Sequence, residues 1–133
     1  MIGLLIVTHC DLSAELLKAA EFIVGRIDLA DTISITQGLD SDEIRKTIGE
    51  KITHLNKGKG VLILTDMFGG TPSNLSLSFL KEEKVEVLTG VNLPMIIAFV
   101  QHRSDLNLKE LAEKAQKAGK VGISVAGKLL ESE

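Results

Sequence analysis

Gly60-Val61-Leu62-Ile63-Leu64-Thr65-Asp66-Met67-Phe68-Gly69-Gly70-Thr71-Pro72 is the stretch that decides the fold. Its first part is a short run, apolar at every position. Such a run suits a strand buried on both faces, as in a parallel sheet, and not one with a wet side. Its second part is a Gly-Gly turn. Pro72 then suits the first turn of a helix, where its missing N–H costs nothing.

The same alternation extends in both directions. Short β-branched runs at Ile2–Thr8, Thr32–Thr36, Val85–Leu88 and Val121–Val125 join Gly60–Thr65 as expected strands. Between them lie amphipathic stretches. Ser13–Val24 carries Leu16, Leu17, Ala20, Ile23 and Val24 at helical spacing, and Ser41–Asn56 carries Ile44, Ile48, Ile52 and Leu55. Asp40-Ser41-Asp42-Glu43 supplies capping and dipole-compatible residues for the second. Leu75–Lys81, Pro94–Gln101 and Leu108–Ala118 are the remaining expected helices, with Gly119 as the stop of the last. Alternating strands and helices predict an α/β fold, a three-layer sandwich around a mostly parallel sheet, in a single domain over residues 1–133.

Bulk properties narrow the function. The chain has 133 residues, 44% of them hydrophobic and 25% charged, so it can bury a core without disulfides or structural metal. Aromatics make up 3%, with no Trp or Tyr, which leaves no stacking platform for single-stranded nucleic acid. The net charge is −3 and no basic stripe occurs, so a nucleic-acid backbone is not an indicated partner. The lone cysteine, Cys10, precludes an internal disulfide and agrees with a reducing compartment. The apolar start Ile2–Val7 lacks a basic flank and is too short for a signal peptide or a membrane span, so a cytoplasmic protein is expected.

In a parallel sheet, ligands bind beyond the carboxyl ends of the strands. His9 follows the first expected strand and Asp66 the third. A carboxylate that accepts the proton of one imidazole nitrogen fixes the tautomer and leaves the other nitrogen's lone pair free as a nucleophile. Gly69, Gly70 and Thr71 follow directly, and two glycines let main-chain amides approach an oxyanion. Thr71 and Ser73 offer hydroxyls, and the following helix would aim its free N–H groups at the site. A nucleophilic nitrogen beside a phosphate cradle suggests phosphoryl transfer to His9. The chain has no Gly-x-x-x-x-Gly-Lys-Ser/Thr, so a nucleotide-hydrolysing loop is not supported. His54 and His102 read as solvated helix ends. His9, Cys10 and Asp66 lack the spacing of a structural zinc site, so no metal is expected.

Three blocks carry a resemblance: Thr8-His9 after the first strand, Asp66-Met67-Phe68-Gly69-Gly70-Thr71-Pro72-Ser73-Asn74, and Gly90-Val91-Asn92-Leu93-Pro94-Met95. Their order and spacing resemble those of the mannose-class enzyme IIA domains of the bacterial phosphoenolpyruvate-dependent sugar phosphotransferase system. The resemblance implies a phosphotransferase component in which His9 carries the phosphoryl group, Asp66 orients it and Thr71 sits near the phosphate. It implies no cofactor, with phospho-HPr as donor and a histidine on an enzyme IIB as acceptor. The sugar permease (IIC and IID) would then be met only indirectly. It further implies a homodimer in which Val121–Val125 is exchanged between copies. The place of Cys10, Met67, Phe68, Asn92 and Met95 in or beside these blocks makes them expected docking residues. The family usually has Gly after the His, where this chain has Cys10. The sequence ends at Glu133 without a IIB domain, so IIB is expected on a separate chain. The phosphate-donor subunit of a dihydroxyacetone kinase and a regulatory module read out by its phosphorylation state remain alternatives.

Overall fold

The computed structural model describes residues 1–131. In chain order the elements are β1 (Gly3–His9), α1 (Leu12–Val24), β2 (Ala30–Ile35), α2 (Ser41–Leu55), β3 (Val61–Thr65), α3 (Thr71–Leu77), β4 (Val85–Thr89), α4 (Leu93–His102), α5 (Leu108–Val121) and α6 (Ala126–Glu131). The strands form one sheet in the order β2-β1-β3-β4, and all three pairings are parallel. β1 and β3 sit in the middle, which is why their sequences are apolar at consecutive positions. Leu4, Ile6, Leu62 and Leu64 join one core with Ala20 of α1, Ile96 and Phe99 of α4 and Leu111 of α5. Leu5, Val7, Val61 and Ile63 join the other, with Ile44, Ile48 and Ile52 of α2 and Leu75 of α3. The expected three-layer sandwich is therefore what forms.

Helix ends follow local chemistry. Asp40 caps α2 by accepting the Asp42 N–H, and Asn107 and Glu110 form a reciprocal capping box on α5. At the amino end of the sheet the buried Arg103 acts as a clamp. Its guanidinium donates to the carbonyls of Ile2, Asp28 and Leu29 at 2.6–3.0 Å and lies 4.9 Å from the Phe99 ring centroid. These carbonyls precede β1 and β2, so one side chain ties the starts of two strands to the end of α4.

Three expectations need correction. The helix placed at Leu75–Lys81 starts at Thr71, directly after Gly70, and ends at Leu77; Pro72 sets the start. Gly119 does not stop α5, which runs to Val121. It is glycine because α5 crosses the start of α4 closely: a Cβ there would stand 2.9 Å from Met95 Cε and 3.3 Å from Asn92 Oδ1. Finally, Val121–Val125 is no strand within the chain. A strand exists only against a neighbour, and this segment pairs with none of the four; Val121 closes α5 and the unforeseen α6 follows. Val121, Ile123 and Val125 are left 73%, 75% and 68% exposed.

The topology places the site. From β1 the chain moves to one side for β2, then returns to the other side for β3 and β4. The order reverses between β1 and β3, and that is where an open parallel sheet leaves a crevice beyond its carboxyl ends. His9 ends β1, and Asp66 immediately follows β3.

Candidate functional site

His9 is presented by a turn that passes from strand to helix within two residues. The hydroxyl of the buried Thr8 accepts the Ser13 N–H at 2.7 Å, holding the first turn of α1, and the Ser13 hydroxyl donates to the Ile33 carbonyl at 3.0 Å. The Cys10 N–H donates to the Ile35 carbonyl at 2.8 Å. So tight a turn requires a left-handed residue, and Cys10 takes it with φ of 50°. This is the region where a Cβ is costly and glycine is favoured, which accounts for the Gly that the resembling family carries here.

Asp66 reaches across from β3. Its Oδ2 lies 2.7 Å from His9 Nδ1 and also accepts the His9 main-chain N–H at 3.0 Å, while Oδ1 accepts the Met67 N–H at 3.1 Å. Two main-chain donors thus fix the carboxylate before it meets the ring. The His9 side chain is 47% exposed and that of Asp66 14%, so the ring stands at the surface on a mostly covered support. Partial burial works to raise the Asp66 carboxyl. The main-chain N–H, the ring hydrogen bond and the charge of His9 outweigh it and hold the group below the ordinary carboxylate range. An ionised Asp66 can only accept, so Nδ1 carries a proton, and in the neutral ring Nε2 is the nitrogen that keeps its lone pair.

The Asp66–Asn74 loop closes around that nitrogen. Gly70 lies against the ring: a Cβ there would stand 2.8 Å from His9 Cε1 and 3.2 Å from Nε2. Gly70 is therefore small to admit the ring itself, a reason the sequence reading did not give. Gly69 adopts φ of 94°. It is held at both ends, its N–H donating to Ser73 Oγ and its carbonyl accepting from Asn74 Nδ2, each at 3.4 Å. The Ser73 hydroxyl, expected to face a ligand, is buried and serves the loop. Thr71 is exposed as the first residue of α3.

The expected docking residues divide. Cys10, Met67 and Phe68 are exposed beside His9 and Asp66, and Leu12 and Leu39 add apolar surface at the same end of the sheet. Met95 does not belong with them: it is 4% exposed, part of the core beneath α4 and α5. Asn92 is spent internally, accepting the Met95 N–H and donating to the Gly119 carbonyl, each at 3.0 Å. Helical periodicity marks Met95 as inward-facing, and an Asn two residues before Pro is a recognisable cap; those signals were in the sequence. The role of Thr8 was also readable, as a hydroxyl five residues before Ser13 at a strand end. His54 and His102 sit in the last turns of α2 and α4, at the opposite end of the sheet. Among the described residues no three His, Cys, Asp or Glu side chains gather to hold a metal ion, and no helix is long and apolar enough to cross a membrane.

Residues 3–116 match the model of the family described as the PTS system fructose IIA component. The chain is 32% identical over 124 residues to the mannose-specific EIIAB component of the phosphotransferase system of Escherichia coli K12. That alignment covers 92% of this chain but 38% of the relative, so the chain corresponds to well under half of that protein. It is 26% identical to the fructose-specific EIIA component of Bacillus subtilis, covering 98% of this chain and 90% of the other. Among solved structures, the phosphotransferase system component EIIA from Streptococcus agalactiae superposes with a TM-score of 0.87 at 28% identity, covering 96% of this chain and 99% of that one. With the sheet order, the His–Asp pair at its switch point and these matches together, the chain belongs to the enzyme IIA family of the sugar phosphotransferase system, in the class whose members include mannose, fructose and sorbose components.

Proposed function

We propose that His9 is a phosphoryl carrier: it accepts the group from phospho-HPr on Nε2 and passes it to a histidine of an enzyme IIB for sugar uptake. The observation that carries this reading is the 2.7 Å contact of Nδ1 with Asp66 Oδ2, which leaves Nε2 as the unprotonated nitrogen of a half-exposed ring. In transfer, the Nε2 lone pair attacks phosphorus while the phosphorus–nitrogen bond of the donor breaks, and the donor nitrogen keeps that electron pair. The ring gains positive character as the new bond forms, and the fixed carboxylate stabilises it. The main-chain N–H groups near Gly70 and the Thr71 hydroxyl are the available partners for the phosphoryl oxygens. Such a transfer needs positioning and charge stabilisation, both of which this arrangement supplies without a cofactor.

Phe68, Met67, Cys10 and Leu12 form the apolar collar on which HPr and IIB would dock in turn, in the cytoplasm. The permease would be reached only through IIB. The same reading makes the working form a homodimer, since the apolar Val121, Ile123 and Val125 find no cover among the described residues of their own chain. Incubation with phosphoenolpyruvate, enzyme I and HPr, followed by intact-mass measurement, tests the donor assignment. One phosphoryl group should appear, and omission of HPr should abolish it. Labelling that is equally fast without HPr would contradict it.

A further inference from the structure

Directly beneath the His9 loop lies a hydroxyl without a partner. Among the described residues, Thr65 Oγ1 is the one buried side-chain oxygen or nitrogen that makes no hydrogen bond. Other buried hydroxyls nearby are spent: Thr8 accepts from Ser13, Ser13 donates to the Ile33 carbonyl, and Ser76 donates to the Pro72 carbonyl at 2.6 Å. Thr65 ends β3 just before Asp66, and its main chain is pinned, its carbonyl accepting the Gly90 and Val91 N–H groups at 2.9 Å. Strand alternation places its side chain on the face of Val61 and Ile63, the face that α3 covers. Valine would have the same shape there without an unmet polar atom, which is costly wherever it is buried.

The inward face of α3 carries Pro72, Ser73, Leu75 and Ser76. Ser73 is fully buried, yet its hydroxyl is loosely engaged. The oxygen accepts the Gly69 N–H at the long distance of 3.4 Å, and its own hydrogen stays available. Gly69 belongs to the turn whose next residue, Gly70, packs against Cε1 and Nε2 of His9. A phosphoryl group on Nε2 sets its oxygens against that turn, and an anion draws a main-chain N–H more strongly than a distant neutral hydroxyl does. We propose that Thr65 is a positioning residue for the phosphorylated state: as the Gly69 N–H turns to a phosphoryl oxygen, the Ser73 hydroxyl is released and donates to Thr65 Oγ1. The inference rests on the carrier reading above and adds what holds the loop once the group has arrived. In the resting chain the Thr65 hydroxyl is unmet, which raises the energy of that state. In the phosphorylated chain it is satisfied, so the Thr65–Ser73 pair draws the exchange with the donor toward phospho-His9. Ser76 does not compete for Thr65, because the Pro72 carbonyl already holds its hydroxyl at the shorter distance.

The test compares Thr65→Val with the wild-type chain in two measurements. In urea unfolding of the unphosphorylated protein the midpoint should stay or rise, because no hydrogen bond is lost. In the exchange with phospho-HPr the equilibrium constant for phosphorylation of His9 should fall about tenfold, the size of one buried hydrogen bond. Thr65→Ser keeps the hydroxyl and should restore the constant whatever its stability. In a Ser73→Ala background Thr65→Val should leave the constant unchanged, since the partner is gone. A lower midpoint in Thr65→Val, an unchanged exchange constant, or an equal fall in the Ser73→Ala background would overturn the proposal. A wild-type chain that takes no phosphate overturns the carrier reading together with it.

Discussion

Gly70 and His9 touch edge to backbone, so closely that no side chain fits between them: a Cβ on Gly70 would lie 2.8 Å from Cε1 of the ring. The loop that follows β3 therefore fixes the ring on one side as Asp66 fixes it on the other. Gly70 has φ of −87°, which alanine tolerates. Gly70→Ala should fold with nearly wild-type stability yet displace the ring or the loop. Phosphoryl transfer should fall by about 10²-fold, the cost typical of a misplacement near 1 Å. Stopped-quench transfer from phospho-HPr alongside thermal unfolding checks this; a wild-type rate would mean that ring placement does not limit transfer.

Asp66→Asn preserves shape but offers an amide that can donate to Nδ1, favouring the tautomer protonated on Nε2. The transfer rate should drop by at least about 10², with the fold intact. The carboxylate also ties stability to pH. Its folded pKa lies below the ordinary 3.8, so its contribution is complete above about that pH and is lost as pH falls through the folded value. Unfolding measured between pH 3 and 6 should show a decline at the acid end that is shallower in Asp66→Asn. Superimposable curves would remove Asp66 from the linkage.

At Cys10 the backbone pays for a side chain in a left-handed turn. Cys10→Gly should stabilise the protein by about 0.5–1 kcal/mol, the steric gain partly offset by the greater freedom of glycine in the unfolded chain. Denaturant midpoints would measure it, and a loss of stability would show that the thiol makes contacts outweighing the strain. Coupling a bulky maleimide to Cys10 should slow transfer from phospho-HPr without unfolding the chain, if the collar around His9 is the docking surface.

Arg103→Leu removes the donors that three carbonyls share at the amino ends of β1 and β2. The Leu29 carbonyl keeps the Leu4 N–H and Asp28 is exposed, so the loss falls mainly on the buried Ile2 carbonyl and should cost about 1–3 kcal/mol. Because the clamp lies at the far end of the sheet from His9, the transfer rate of the folded fraction should stay within about twofold. Chemical denaturation and transfer kinetics on the same sample separate the two effects.

What the sequence disclosed follows from where its physics is local. The β1 and β3 runs were legible because burial on both faces forces continuous apolar residues, and their ends pointed to His9 and Asp66. α2 was legible from Ile44, Ile48 and Ile52 at one helical spacing. What stayed hidden depends on distant neighbours. Gly119 reads as a helix stop until α4 is seen pressed against it, and Ser73 reads as a ligand hydroxyl until Gly69 is seen to use it. Val121–Val125 has the composition of a strand, but composition cannot say whether its partner lies in the same chain.

Determining which atom holds the phosphorus tests the central claim most directly. The wild-type chain would be phosphorylated through HPr, and the linkage assigned by nitrogen–phosphorus couplings in NMR spectra, with His9→Ala as control. The account predicts a single phosphorus–nitrogen bond at Nε2 of His9, acid-labile and base-stable, and no label on His9→Ala. Phosphate on His9 Nδ1, on His54 or His102, or as an acyl phosphate on Asp66 would contradict it.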